Sequence, residues 1–316
     1  MSTAPQKAKP ISLPSDWLTQ LQHWANTQPQ QIALWHKQRG RWATYRWAAL
    51  LQALEALRDG LRQQGVGEHS RLAVSGAWES SLIMWVLAAQ TTGAQVFTVN
   101  RLAQGATLRA LLDAIAPTHA FVQDRKILSA WLLSGHAPHQ PVQLYLAQPV
   151  MERTTDAGVW HIVPLESVGG AIHAGTVQHE HHTRPPQQAL LWTDEGTEWA
   201  NGLEQLLLIW LHTGRALASP EVIAAATRDR HEVQPQRIIA SPQREQELQA
   251  ELQARLPLSG SWQRRWIELA HSRSDHPLAQ WLLRRIARLH GLPTHEGESK
   301  AAPAVPHHTL TTEVAA

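Results

Sequence analysis

The sequence predicts an α/β fold, a layered and mostly parallel β-sheet with flanking helices. Two observations predict it. Between Pro29 and Val99, apolar stretches of strand length alternate with stretches of helical periodicity, and the alternation resumes between Ala106 and Leu146. Repetition of a strand–helix–strand unit implies parallel strands joined by right-handed crossovers.

Residues 1–14 are polar and punctuated by proline, as in a mobile arm. Asp16 to Asn26 reads as a short helix with Trp17, Leu18, Leu21 and Trp24 on one face. Ile32-Ala33-Leu34-Trp35 is a strand, and the turn Gln38-Arg39-Gly40-Arg41 leads to a second. Thr44 is placed to cap the next helix, on which Leu50, Leu51, Leu54, Leu57 and Leu61 share a face. Gly65 suits a left-handed helix end. Arg71 to Val74 reads as a buried strand, Glu79 to Thr92 as an apolar helix and Gly93 to Val99 as the following strand. Further on come a helix over Ala106–Ile115 stopped by Pro117, a strand at His119–Val122, a helix at Ile127–Leu133 and a strand at Val142–Leu146. Residues 147–186 are loop-like, Gln187–Thr193 is a strand, Leu203–Leu211 an apolar helix and Ala216–Ala218 a short strand.

Composition narrows the chemistry. A chain of 316 residues with 43% apolar side chains builds a sizeable core. Having no Cys, it has no disulfide, cysteine zinc site or thiol catalysis. A net charge of +2 gives no reason to expect a nucleic-acid partner. The first twenty residues lack the pattern of a secretory signal. The most apolar window, Ser81 to Val99, is broken by Gln90, Thr91, Thr92 and Gly93, so a cytoplasmic protein is expected. The 15 Trp are scattered without a repeat and read as core residues whose N–H groups find partners. His173, His179, His181 and His182 gather around Glu180 without recurrent spacing on a regular element, and among 19 His they read as an exposed loop, not a metal site.

One ordered set of pieces resembles a known family. Pro29-x-x-Ile32-Ala33-Leu34, Gly40-x-x-x-Thr44-Tyr45, an amphipathic helix, Gly65-Val66-Gly67, Arg71-Leu72-Ala73-Val74, an apolar helix and Gly93-Ala94-x-Val96 resemble the amino-terminal domain of the adenylate-forming (AMP-binding) acyl-CoA synthetases, in their long-chain fatty acid–CoA ligase branch. Trp47 stands where a Glu would complete the family's capping box. The resemblance implies an AMP-forming acid–CoA ligase using ATP, magnesium and CoA.

The resemblance implies that the strand ending Trp192-Thr193 leads into a phosphate loop of the type Thr-Ser-Gly-Thr-Thr-Gly-x-Pro-Lys. Such a loop works by exposing backbone N–H groups, hydroxyls and a Lys to the ATP phosphates. This chain reads Thr193-Asp194-Glu195-Gly196-Thr197-Glu198-Trp199. Trp192, Thr193, Gly196 and Thr197 are the remnant of that loop, and the carboxylates of Asp194, Glu195 and Glu198 oppose a polyanion. A second alignment makes this stretch a later aromatic-Thr-Glu segment with the loop deleted. It is supported by Glu221 and by Arg228 to Pro235, which resembles an Arg-Glu-(Ile/Val)-x-Pro-Thr run with Gln236 for the Thr. The resemblance covers roughly Trp17 to Leu292, and no catalytic residue, cofactor ligand or metal ligand carries over.

The domain is therefore expected over 15–292, with 293–316 as a disordered Pro/Ala/Thr-rich tail. Between Arg255 and His290 seven Arg face only Glu268 and Asp275. Arg284, Arg285 and Arg288 flank an apolar stripe, a pattern that either forms a solvated face or rests on an anionic membrane. The expected function is a non-catalytic accessory subunit of fatty-acid activation. Alternatives are an acyl-chain or membrane-surface binder, and a ligase completed by a partner. The nearly all-apolar Leu203–Leu211 helix calls for cover from a homo-oligomer or a full-length acyl-CoA synthetase.

Overall fold

The computed structural model describes residues 9–38, 40–138, 140–148, 160–168 and 190–255, with positions 257, 261, 265, 269 and 285. Its elements run α1 (Trp17–Thr27), β1 (Ile32–Gln38), β2 (Arg41–Arg46), α2 (Trp47–Gln63), β3 (Arg71–Ser75), α3 (Ser80–Thr91), β4 (Gln95–Thr98), α4 (Gly105–Ile115), β5 (His119–Val122), α5 (Arg125–Leu132), β6 (Val142–Leu146), β7 (Trp160–Pro164), β8 (Leu190–Trp192), α6 (Gly202–Thr213), β9 (Ala216–Ser219), α7 (Ala226–Val233), β10 (Arg237–Ile238) and α8 (Pro242–Arg255). They form two five-stranded sheets. Sheet A has the order β10-β8-β9-β1-β2 and sheet B the order β4-β3-β5-β6-β7. Every pairing is parallel except the β1–β2 hairpin. The mostly parallel α/β reading holds.

The largest core lies between the sheets. It takes Leu34, Leu191 and Leu217 from sheet A, Leu72, Val74 and Val96 from sheet B, and the apolar faces of α1, α2, α3 and α6. Helix α3 is buried almost all round, from Leu82 to Ala89, which is why its sequence shows no polar face. Of the five α2 leucines, Leu50, Leu54, Leu57 and Leu61 are buried and Leu51 is half-buried. Gly65 takes a φ of 83°, the left-handed turn its position suggests.

Several local expectations are corrected. Thr44 does not cap α2; it lies inside β2, which runs on to Arg46. The first free N–H groups of α2 are met by backbone instead, Trp47 donating to the Gln31 carbonyl and Ala48 to that of Pro29. The stretch read as loop between 147 and 186 contains β7, which pairs with β6 from Val142↔Trp160 to Leu146↔Pro164. The proposed mobile arm is anchored from Ile11 on: the Ile11 N–H donates to the Val96 carbonyl at 2.7 Å, and its side chain is buried. Alternation of Ile11 and Leu13 between prolines carried that signal. Helices α7 and α8 and strand β10, not assigned from sequence, complete sheet A and its flank. Buried Lys37 of β1 bonds Asp229 and Glu232 of α7 at 2.8 and 2.6 Å.

Helix α6 finds its cover within this chain. Leu203, Leu206, Leu207, Trp210 and Leu211 are buried, and only Leu208, at 42%, is exposed among its large side chains. Trp47 stacks on Trp210 at 5.1 Å, Trp24 donates its indole N–H to the Leu211 carbonyl, and Trp210 donates to that of Ala33. Burial of α6 thus does not itself call for a second chain. The indole N–H groups of Trp47, Trp78 and Trp192 are buried without a partner, unlike the general expectation for tryptophan. The His173–His182 cluster, Arg284, Arg288 and the tail over 293–316 lie outside the described residues; Arg285 is exposed. No helix among the described residues is long and apolar enough to cross a membrane.

Candidate functional site

In parallel sheets, ligands gather beyond the carboxyl ends of the strands. At that edge of sheet A, Trp192 closes β8 in register with Ala218 of β9, and residues 193–199 leave the sheet. At the same edge of sheet B, β3 ends in Ser75 and runs into Gly76-Ala77-Trp78. The two exits are stitched together. Ala77 and Gly196 form an antiparallel bridge, Thr197 N–H donates to the Gly76 carbonyl at 2.9 Å, and Trp78 N–H to the Glu195 carbonyl at 3.0 Å. The Thr197 hydroxyl accepts from Gly76 N–H, while the amide of Gln123, the residue after β5, brackets the Ala77 peptide. Approach is close enough that only glycine fits: a Cβ on Gly196 would stand 2.3 Å from the Gly76 carbonyl oxygen.

Each of the three carboxylates has its own protein partner. Asp194, buried, takes a two-pronged contact from Arg244 of α8, Nη2 to Oδ2 at 2.9 Å and Nε to Oδ1 at 3.2 Å. Glu195, also buried, accepts from the backbone N–H and the hydroxyl of Ser241, the latter at 2.6 Å. The same Ser241 hydroxyl accepts from Arg244 N–H in the first turn of α8. Glu198 is gripped by the Arg101 fork, Nη2 to Oε1 at 2.7 Å, and also accepts from Gly196 N–H. The hydrogen bond from Arg244 to Asp194 holds the Arg244 guanidinium above its ordinary range. Burial depresses Arg230, which lies under α8 with Nη2 3.6 Å from Glu251.

Glu195 has a pH consequence. Burial pushes its carboxyl above the usual carboxylate range, helped by Glu198 and Asp194 and opposed by the bonds from Ser241. The folded chain then holds this proton more tightly than the unfolded one. Its favourable contribution is complete below the ordinary Glu value and is lost as pH rises through the raised one. Glu195→Gln keeps an acceptor for the Ser241 N–H and removes the charge. The variant is expected to melt higher than the parent at neutral pH, with the gap closing toward about pH 4. Melting curves across that range check it, and a variant less stable at every pH would refute it.

The sequence-derived remnant is thus one place: Trp192 and Thr193 at the end of β8, Gly196 and Thr197 in the stitch. It does not fit nucleotide phosphates. The N–H groups of Thr193, Gly196, Thr197 and Trp199 donate within the protein, and the Thr197 hydroxyl is engaged. Arg101, Gln123, Ser241 and Arg244 were not foreseen. Ser241-Pro242 was the one available signal, a serine cap before a first-turn proline.

A family model described as "AMP-binding enzyme" matches residues 21–186, more than half of the chain. The chain belongs to the AMP-binding enzyme family. No curated protein matches it. Solved structures similar to this family member include a coronafacic acid ligase from Pectobacterium brasiliense at 11% identity, covering 78% of this chain and 53% of that one with a TM-score of 0.54. VinN matches at 14% identity over 78% of this chain and 66% of its own, with a TM-score of 0.51. The acetoacetyl-CoA synthetase from Streptomyces lividans matches at 14% over 74% and 45%, with a TM-score of 0.50. At such identities the likeness is one of fold, and the chain spans about half to two thirds of those structures. The AMP-binding family match stops short of β8 and of the acidic stitch.

Proposed function

We propose that this protein is a non-catalytic member of the AMP-binding family, an accessory chain of fatty-acid activation in the cytoplasm. One observation carries the reading. The segment where a phosphate loop would lie spends its N–H groups and its three carboxylates on contacts inside the protein, through Arg101, Ser241 and Arg244. A bound polyphosphate would have to displace these contacts and lie against Asp194, Glu195 and Glu198. An accessory chain acts by association, and a full-length acyl-CoA synthetase or a second copy is the partner we propose, on the family relationship alone.

The purified protein is expected to show no acid-dependent ATP–pyrophosphate exchange with fatty acids from short to long. Exchange that rises with one of the added acids would overturn the proposal.

A further inference from the structure

Glu198 sits in surroundings built for an anion. Its carboxylate receives the Arg101 guanidinium through both Nε and Nη2, and the backbone N–H of Gly196 at 3.0 Å. A guanidinium fork beside a loop N–H is the donor set that recognises carboxylate and phosphate oxyanions. The donors come from separate parts of the fold: Arg101 follows β4 of sheet B, and Gly196 belongs to the stitch beyond β8 of sheet A. The pair is part-buried but still touches solvent, with the Arg101 and Glu198 side chains 16% and 18% exposed. Of the three carboxylates, Glu198 is the one whose residue is not buried.

We propose that Arg101 and the Gly196 N–H form a binding site for a small oxyanion, which Glu198 occupies from within the chain. The inference rests on the same loop as the non-catalytic reading and gives it a cause: the anion is already there. Coulomb attraction to Arg101 is shared between the internal carboxylate and any external one, and the internal one is held at high effective concentration because Glu198 is only two residues along the chain from Gly196. Trp199, whose N–H donates to the Gly196 carbonyl and whose ring lies 5.2 Å from that of Trp78, stands next to the site as an optical reporter.

Removing Glu198 should therefore open the site. In Glu198→Ala, inorganic phosphate is expected to raise the melting temperature saturably and to change tryptophan fluorescence, compared with chloride at equal ionic strength. Acetate in a parallel arm distinguishes carboxylate from phosphate recognition, and a response to either supports the site. The parent and the double variant Glu198→Ala/Arg101→Met should not respond. A folded Glu198→Ala that ignores both anions overturns the inference while leaving the non-catalytic reading intact. A parent that responds as strongly as the variant also overturns the inference, since Glu198 then keeps nothing out, while the non-catalytic reading stands or falls on pyrophosphate exchange alone. Glu198→Gln, of nearly equal shape, replaces Glu198→Ala if the latter does not fold, with the same criteria. If neither folds, Glu198 is a structural pair only and the inference fails.

Discussion

Gly196→Ala should cost about 3 kcal/mol of stability, the upper end of overpacking effects, and lower the melting temperature by about 6–12 °C. The added methyl would meet the Gly76 carbonyl oxygen at 2.3 Å and the Ala77 Cα at 2.7 Å, and both are backbone, so no rotamer change relieves the clash. The strands on either side must separate, breaking the Ala77↔Gly196 bridge and the Thr197 bonds to Gly76. Gly67→Ala is the control, because nothing lies within 4 Å of a Cβ there. Thermal and urea unfolding followed by circular dichroism measure both. Equal, small effects at the two positions would mean that the sheets are not joined where the structure joins them.

Arg244→Met should be comparably severe, about 3 kcal/mol, because it leaves the buried Asp194 carboxylate without its fork. Arg230 nearby recovers part of the attraction without replacing the hydrogen bonds. Arg244 also bonds Glu247 and Glu251 at 3.2 Å, so its loss loosens a helix in which Leu248 is the buried large apolar side chain among the described residues. Arg244→Lys keeps the charge and loses the fork, and belongs between the two. Adding Asp194→Asn to Arg244→Met should restore stability, since the uncompensated charge is then gone. Additive losses in that double-mutant cycle would rule out the pair as the source of the effect.

The fold was legible wherever one side of the chain alternates with the other. Leu50, Leu54, Leu57 and Leu61 announced α2, and the run from Leu82 to Ala89 announced an apolar helix, which the structure buries almost all round. Thr44 misled because a threonine before an amphipathic run fits a cap and a strand end equally well, and tertiary carbonyls from Gln31 and Pro29 took over the capping. Helix α8 escaped because Gln, Glu and Arg fill it, and what holds it is ionic: Arg244 and Ser241 reach carboxylates some fifty residues upstream. That three carboxylates gather in the loop after β8 was legible. That their charges are consumed inside the fold was not, since pairing at such distance leaves no periodicity.

The order of strands in sheet A has a consequence for how the chain is made. Sheet B is assembled from consecutive stretches of the chain, so its strands meet soon after they are synthesised. Strand β1, by contrast, pairs Leu34 with Leu217, with most of the described chain between them. Until β9 emerges, the Ile32-Ala33-Leu34-Trp35 ribbon keeps one hairpin neighbour and one bare edge, the kind of surface that recruits foreign strands. Completion of sheet A is a late, non-local event that closes a long loop at an entropic cost growing only slowly with its length. The nascent chain is thus most vulnerable to aggregation at its beginning, and it is its last described third that protects it.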